Sequence, residues 1–327
     1  MTLLSATERQ AVPGATLADL NLNQVRDHIE SAVRRRGYIG DTEPEVYLRT
    51  HGCLVDVDAP TLAGIVMFGR EPSRFVPICG INIAQFSGSI VATSDLVFSR
   101  QIRGDLATII DRTIDLLWAR TEHRTRIDGS ERIEDHAYPN VVLRELTVNA
   151  IIHRDWSYDG THVRVQIFND RIEWISPGGF PGRTEGKLTL DMLVHAQVNR
   201  NPMMAQLLYQ AGRVESFGMG IDSVLNALHQ NGGREPEVFE NRDIFLFRVF
   251  GKQLRASDIA VVIELTARQQ RILAQIIARK VCSPVELYEA LNENERSIRR
   301  DIQRLLDLGL IIAEGATSRR TYRPAET

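Results

Sequence analysis

Glu145, Asn149 and His153 recur every fourth residue in the stretch RELTVNAIIHRD (144–155), so on a helix they fall along one side. Leu146, Val148, Ala150, Ile151 and Ile152 cover most of the remaining surface. A carboxylate, an amide and an imidazole in line on so apolar a helix can do chemistry. An Asn amide oxygen is a good Mg²⁺ ligand, and a Glu one turn ahead of it can orient or deprotonate a water. Two glycine-bearing turns follow: Ser176-Pro177-Gly178-Gly179 at a strand end, and Gly212 with Gly218-Met219-Gly220 just before a helix. Glycine lets backbone N–H groups approach a phosphate closely, and a helix start adds partial positive charge. The parts of a Mg-nucleotide site are therefore present in a workable order. Taken singly, each has an ordinary alternative: a helix face meeting solvent, a turn, a half-buried histidine.

The elements around these groups follow from periodicity and punctuation. A helix is expected over Leu22–Arg36, opened by Asn21 or Asn23 and closed at Gly37. TLAGIVMFG (61–69) and ICGINIAQFSG (78–88) read as strands between prolines, and residues 104–120 as an amphipathic helix. The helix bearing the polar seam is expected over about 141–153. THVRVQIF and RIEWIS read as strands joined by a tight turn at Asn169-Asp170. Leu188–Val194, Pro202–Gln210 and about 221–229 read as helices, and DIFLFRVF (243–250) as a strand. Helices and a mostly antiparallel sheet in this order favour an α/β sandwich.

The whole chain sets limits. Its 327 residues allow two or three domains, and 43% apolar with 25% charged residues is the balance of a globular protein. A formal net charge of −3 gives no global attraction to nucleic acid or acidic membrane, so any polyanion site must be local. Cys53, Cys79 and Cys282 are odd in number and widely separated, which points to reduced thiols. No signal peptide or membrane-length apolar run is present, so a cytoplasmic protein with no membrane partner is expected.

LRELTVNAIIHRD, IFNDRIEWISPGGFPG, NRNP and GRVESFGMGI together resemble the GHKL-type ATPase domain of bacterial regulators labelled as similar to the C-terminus of the DNA helicase RecG. The resemblance covers about 135–250 strongly and 11–120 more weakly. It implies a Bergerat-like α/β sandwich that takes ATP and Mg²⁺, with Glu145 as base and Asn149 as metal ligand. By the same resemblance His153 lies near the nucleotide's sugar or phosphates. Gly178 and Gly179 form the first glycine box and Gly218 and Gly220 the second, with Arg200 and Asn201 on the lid side between them. Ser176 departs from the pattern, because the first box normally begins with an Asp that accepts the adenine amino hydrogen. A hydroxyl can accept one bond but brings no charge. PTLAGIVMFGREP resembles the end of the Schlafen-type domain that precedes the ATPase domain in such regulators. The main nucleic-acid-contacting and acidic positions of that domain would lie ahead of this sequence, so no Schlafen-type nuclease is expected.

The composition changes after about residue 252. From Thr266 onward there are 11 Lys and Arg against 8 Asp and Glu, a net of +3, whereas the preceding chain has 28 against 34, a net of −6. Residues 266–323 fit a winged helix-turn-helix. A first helix is capped by Thr266 with Ile272 and Ile276 inward, a second opens at Ser283-Pro284, and a third turns Ile298, Ile302 and Leu305 to the core. Arg296, Ser297, Arg299, Arg300 and Arg304 on that third helix, with Arg319 and Arg320 near the tip of the wing, are the candidate DNA contacts. A run of arginines on a helix can also be simply a solvated face. The expected layout is a remnant of the Schlafen-type domain with a connecting helix (1–125), a GHKL-like domain (126–253), a linker (254–265) and a winged helix (266–327). The expected function is a nucleotide-sensing transcriptional regulator that binds double-stranded DNA as a homodimer. A DNA-dependent ATPase and a ligand-free dimerisation scaffold are the alternatives.

Overall fold

The computed structural model describes residues 7–128, 131–181, 188–196, 198–214, 220–252, 266–291, 294–307, 310–314 and 321–324. They divide into two units: residues up to 122 with 138–252, and residues 123–137 with those from 253 onward.

The first unit opens with α1 (Leu22–Arg36). The Asn21 side chain accepts from the Gln24 N–H at its start, and Gly37 ends it in the left-handed conformation at φ 64°. Next come α2 (Pro44–Thr50), a short β1–β2 pair (Leu54–Val55, Ala59–Pro60), α3 (Leu62–Phe68) and α4 (Pro72–Phe75). The segment expected as a strand over 61–69 is thus the helix α3. All seven of its residues are buried, so the run carries no alternation to separate a buried strand from a buried helix. Two local facts select the helix: the Thr61 hydroxyl accepts from the Gly64 N–H at 3.1 Å, and Gly64 lies flat against the Cys53 carbonyl.

Strands β3 (Gly80–Phe86) and β4 (Leu96–Arg103) lead into α5 (Leu106–Arg120), which Asp105 caps by accepting from the Thr108 N–H at 3.0 Å. After β5 (His123–Asp128) and β6 (Glu131–His136), a hairpin grouped with the second unit, the chain returns as α6 (Asn140–Ile152). Then follow β7 (Val163–Ile167), β8 (Arg171–Pro177), α7 (Leu190–His195), α8 (Pro202–Gln210), α9 (Gly220–Gln230), β9 (Glu237–Glu240) and β10 (Ile244–Phe250). The turn expected at Asn169-Asp170 is present, with Phe168 N–H donating to the Arg171 carbonyl at 2.8 Å.

One six-stranded sheet in the order β4-β3-β7-β8-β10-β9 organises this unit, antiparallel except where β3 runs parallel to β7. It draws two strands from ahead of residue 125 and four from behind it, so the sheet runs across the boundary expected there. Helix α6 packs on β8 and is flanked by α5, α8 and α9, which explains its nearly all-round burial. The α/β sandwich expected from the sequence is the architecture of this unit.

In the second unit α10 (Ala267–Arg279), α11 (Pro284–Leu291) and α12 (Glu295–Asp307) enclose a small core with the antiparallel pair β11 (Ile311–Glu314) and β12 (Thr321–Pro324). Ile272, Leu273, Ile276, Leu287, Ile298, Ile302 and Leu305 fill that core. The Thr266 capping box opens α10. Asp301 of α12, buried, accepts from Arg268 at 2.6 Å and Gln269 at 3.0 Å, which ties α12 to the start of α10. The expected linker (254–265) and the expected wing tip with Arg319 and Arg320 lie outside the described residues. No helix among the described residues is long and apolar enough to cross a membrane.

Candidate functional site

The polar seam of α6 opens into a cavity of about 360 Å³ between α6, the ends of β8 and β10, and the start of α9. Glu145, Asn149 and His153 line it, together with Ser176, Gly178, Gly179 and Gly220. Seven positions chosen from the sequence therefore converge on one space. The size falls in the range of small-ligand sites.

Glu145 is only 3% exposed, and its Oε1 stands 3.4 Å from Nη2 of Arg144. Its other oxygen faces the start of α9, where a Cβ on Gly220 would lie 2.9 Å from Oε2 and 3.6 Å from the Asn149 amide nitrogen. Glycine at 220 lets the helix begin this close to the seam without displacing the Glu145 carboxylate. His153 ends α6, its N–H donating to the Asn149 carbonyl at 2.9 Å. Burial, and secondarily the charge of Arg200, pull its imidazole down to about 4, so it is neutral at neutral pH.

Ser176 sits at the end of β8, 3% exposed, and its hydroxyl donates to the Ala150 carbonyl at 2.8 Å. With the proton committed there, the oxygen keeps lone pairs as an acceptor on the cavity side. Gly178 and Gly179 behave differently from the sequence expectation. Their N–H groups are already used: Gly178 donates to the Asp243 carbonyl at 2.7 Å and Gly179 to that of Arg242 at 3.2 Å. These glycines line the cavity without aiming free N–H groups at a phosphate. They are required sterically, because Gly178 has φ 90° and a Cβ on Gly179 would fall 2.4 Å from the Asn241 carbonyl.

Three expected ligand contacts lie elsewhere. Arg200 is bonded to Asp155 at 2.7 Å and to the Gly179 carbonyl, bracing the first glycine turn from behind. Asn201 donates to the carbonyls of Ile152 at 2.6 Å and Arg154 at 2.8 Å, closing the end of α6. The residue of the NRNP stretch that lines the cavity is Asn199. Gly212 ends α8 with φ 72° against the Arg35 side chain and is not among the lining residues. Gly218 lies outside the described residues.

The walls that sequence reasoning missed are apolar. Trp174, Phe180, Leu193, Phe245 and Phe247 line the cavity, and the strand pairing puts Trp174 opposite Phe247 and Ser176 opposite Phe245 on one sheet face. Alternation along RIEWIS carried that signal, since Trp174 shares the parity of Ser176. Among the described lining residues none is Lys or Arg. The arrangement suits a flat heteroaromatic ring held between apolar walls, with an amide and a carboxylate at one end. Asn149 and Glu145 offer oxygen donors of the kind Mg²⁺ prefers. That ion keeps several waters and ligand oxygens, so few protein donors suffice.

On α12, Arg296, Arg299, Arg300 and Arg304 are exposed. Asn294, Arg296, Ser297 and Arg300 border a shallow concavity at the start of that helix. Arg299 is engaged by Glu295 at 2.6 Å and by the Tyr288 hydroxyl at 3.1 Å.

Known proteins add to this geometry. Residues 160–249, from β7 to β10, match a family described as "Putative ATP-dependent DNA helicase recG C-terminal". A crystal structure of the DIP2311 protein from Corynebacterium diphtheriae is similar over 97% of this chain, with a TM-score of 0.60 and 19% sequence identity. The chain spans 64% of the length of that protein, and the likeness concerns the fold. No curated protein matches the chain. The chain carries an ATPase-like domain, whose matched part supplies the sheet floor, the Ser176 turn and the start of α9.

Proposed function

We propose that this protein is a DNA-binding transcriptional regulator whose ATPase-like domain senses a nucleotide. The observation that carries the reading is the convergence of Glu145, Asn149, His153, Ser176 and Gly220 on one cavity with aromatic walls. In this reading the base lies against the sheet face that carries Trp174 and Phe247, with an exocyclic amino group donating to Ser176 Oγ. Asn149 holds Mg²⁺ and the start of α9 faces the phosphates. The metal ion would neutralise phosphate charge, a task for which the described walls offer no Lys or Arg. Glu145 orients a water on the same side.

The tail is the output. Three short helices followed by a two-stranded pair fit a winged helix-turn-helix, in which α12 enters the major groove and Arg296, Ser297 and Arg300 face base edges and phosphates. Arg304 and the arginines at 319 and 320 would add phosphate contacts. A single small module holds DNA weakly, so the active form is a homodimer reading two half-sites.

Titration calorimetry with Mg-ATP, Mg-ADP and Mg-GTP tests the sensor, and binding of at least one is the expected result. Heats indistinguishable from dilution for all three would leave a ligand-free dimerisation scaffold. The buried Glu145 beside Asn149 favours a second reading, a DNA-dependent ATPase. Steady turnover that disappears in Glu145→Gln while binding persists would establish it. Salt-dependent shift assays comparing the full chain with residues 1–252 test the tail, and equal affinity of the two would remove the DNA-binding role.

A further inference from the structure

Just past the end of α6, at two residues that are not among those lining the cavity, three hydrogen-bond donors have no acceptor among the described residues: Nε and Nη1 of Arg154 and Nε1 of Trp156. Arg154 is 1% exposed and Trp156 7%. The guanidinium carbon lies over the indole ring, 5.1 Å from its centre, so the open donors share one neighbourhood and the ring face attracts the cation without accepting its N–H groups. The remaining guanidinium nitrogen, Nη2, donates to the Tyr158 carbonyl at 2.6 Å.

Among the described residues the carboxylate that acts on this charge is Asp155, and it serves two cations at once. Asp155, the adjacent carboxylate, is held by Arg200 at 2.7 Å and by the Ser157 N–H and hydroxyl. His162 feels the charge of Arg154, but it lies within hydrogen-bond distance of Gln101 and the Pro77 carbonyl and is kept neutral by burial. The Cys79 thiol donates to the Gly104 carbonyl and is pushed up by burial to about 12, so it too is uncharged. Guanidinium and indole N–H groups can only donate, and an interior cation without a partner is strongly disfavoured.

We propose that Arg154 and Trp156 form an interior binding site for a small monovalent anion of halide size, chloride in particular. A water has two acceptor directions and two protons of its own to place. A halide accepts from several donors at once and brings the missing charge. The site would secure the end of α6, where Asn201 already holds the Arg154 carbonyl and where His153 turns into the cavity. It does not depend on what the cavity binds.

Thermal melting of the full chain, with chloride exchanged for gluconate at constant ionic strength, tests this. The expected result is a melting temperature that rises with chloride and saturates, with bromide behaving alike. Trp156→Phe keeps the ring and removes its N–H, and should raise the apparent halide dissociation constant at least several-fold. Crystals of the wild-type protein grown in bromide provide a measurement that requires no variant. An anomalous peak within hydrogen-bond reach of Arg154 Nε or Nη1 would support the site. Absence of a saturable halide response, a response that Trp156→Phe retains unchanged, or bromide-grown crystals without that peak would each overturn it in favour of ordered water.

Discussion

Single atoms decide much of the cavity's chemistry. Because the Ser176 proton is taken by the Ala150 carbonyl, the hydroxyl can only accept toward a ligand. Ser176→Ala should therefore weaken binding of a nucleotide with an exocyclic amino group by roughly threefold to tenfold, the worth of one hydrogen bond. Calorimetry on the variant reads this directly. Gly179 offers a test of steric need. An added Cβ would meet the Asn241 backbone carbonyl at 2.4 Å, which cannot swing aside as a side chain tip could. Gly179→Ala should lower stability by about 1–3 kcal/mol in chemical denaturation, as overpacking does. An unaltered unfolding midpoint would show that the β8–β10 end is more yielding than its geometry indicates.

At the scale of elements, α8 links the N-terminal helices to the cavity. The Glu8 carboxylate accepts from the Met203 and Met204 N–H groups at 3.0 and 3.1 Å, capping the start of α8. At its other end Arg36 of α1 donates to the Tyr209 carbonyl at 3.1 Å and the Val214 carbonyl at 2.7 Å. Val214 itself lines the cavity, so α1 holds part of the cavity rim in place. Arg36→Met should cost about 1–3 kcal/mol and reduce ligand affinity more than it reduces helix content. Circular dichroism and calorimetry on the same preparation separate the two effects. In the second unit, Asp301 plays the comparable part for α12. Asp301→Asn leaves Arg268 without this carboxylate and, under the proposed DNA-binding role, should lower DNA affinity without touching an exposed arginine of α12. An unchanged shift assay would remove the inference.

For the whole molecule, burial of histidines predicts acid sensitivity. Burial holds His28 and His153 down to about 4 and also lowers His51. An unfolded histidine titrates near 6.5, so the unfolded chain takes up these protons first. Their stabilising contribution is complete above about pH 6.5 and is lost as pH falls toward about 4, by up to about 1.4 kcal/mol per pH unit for each fully neutral histidine. Glu8, raised by burial, acts in the opposite sense, gaining protons in the folded state first. Urea denaturation at about pH 7 and about pH 5 should show lower stability at the acid value. His28→Gln, away from the cavity, should reduce that difference, and an equal difference in the variant would assign the effect elsewhere.

The sequence by itself determined the features that depend on near neighbours. Four-residue spacing placed Glu145, Asn149 and His153 on one helix side, and capping side chains at Asn21 or Asn23 and at Thr266 marked helix starts. The Asn169-Asp170 turn set the pairing of β7 with β8, and with it the direction in which Ser176 points. The hairpin of β5 and β6 went unread because HRTRID and ERIEDH are so polar that they carry no alternation. Only the tertiary structure decided that 61–69 is helical, that Asn199 rather than Arg200 or Asn201 borders the cavity, and that the N–H groups of Gly178 and Gly179 are already spent. The last two turn on backbone partners far away in sequence, at Ile152 and at Asp243, and the first on the packing of Gly64 against the Cys53 carbonyl. Spacing along a chain reports which side chains share a face, whereas the partner of each backbone group is settled only when distant segments meet.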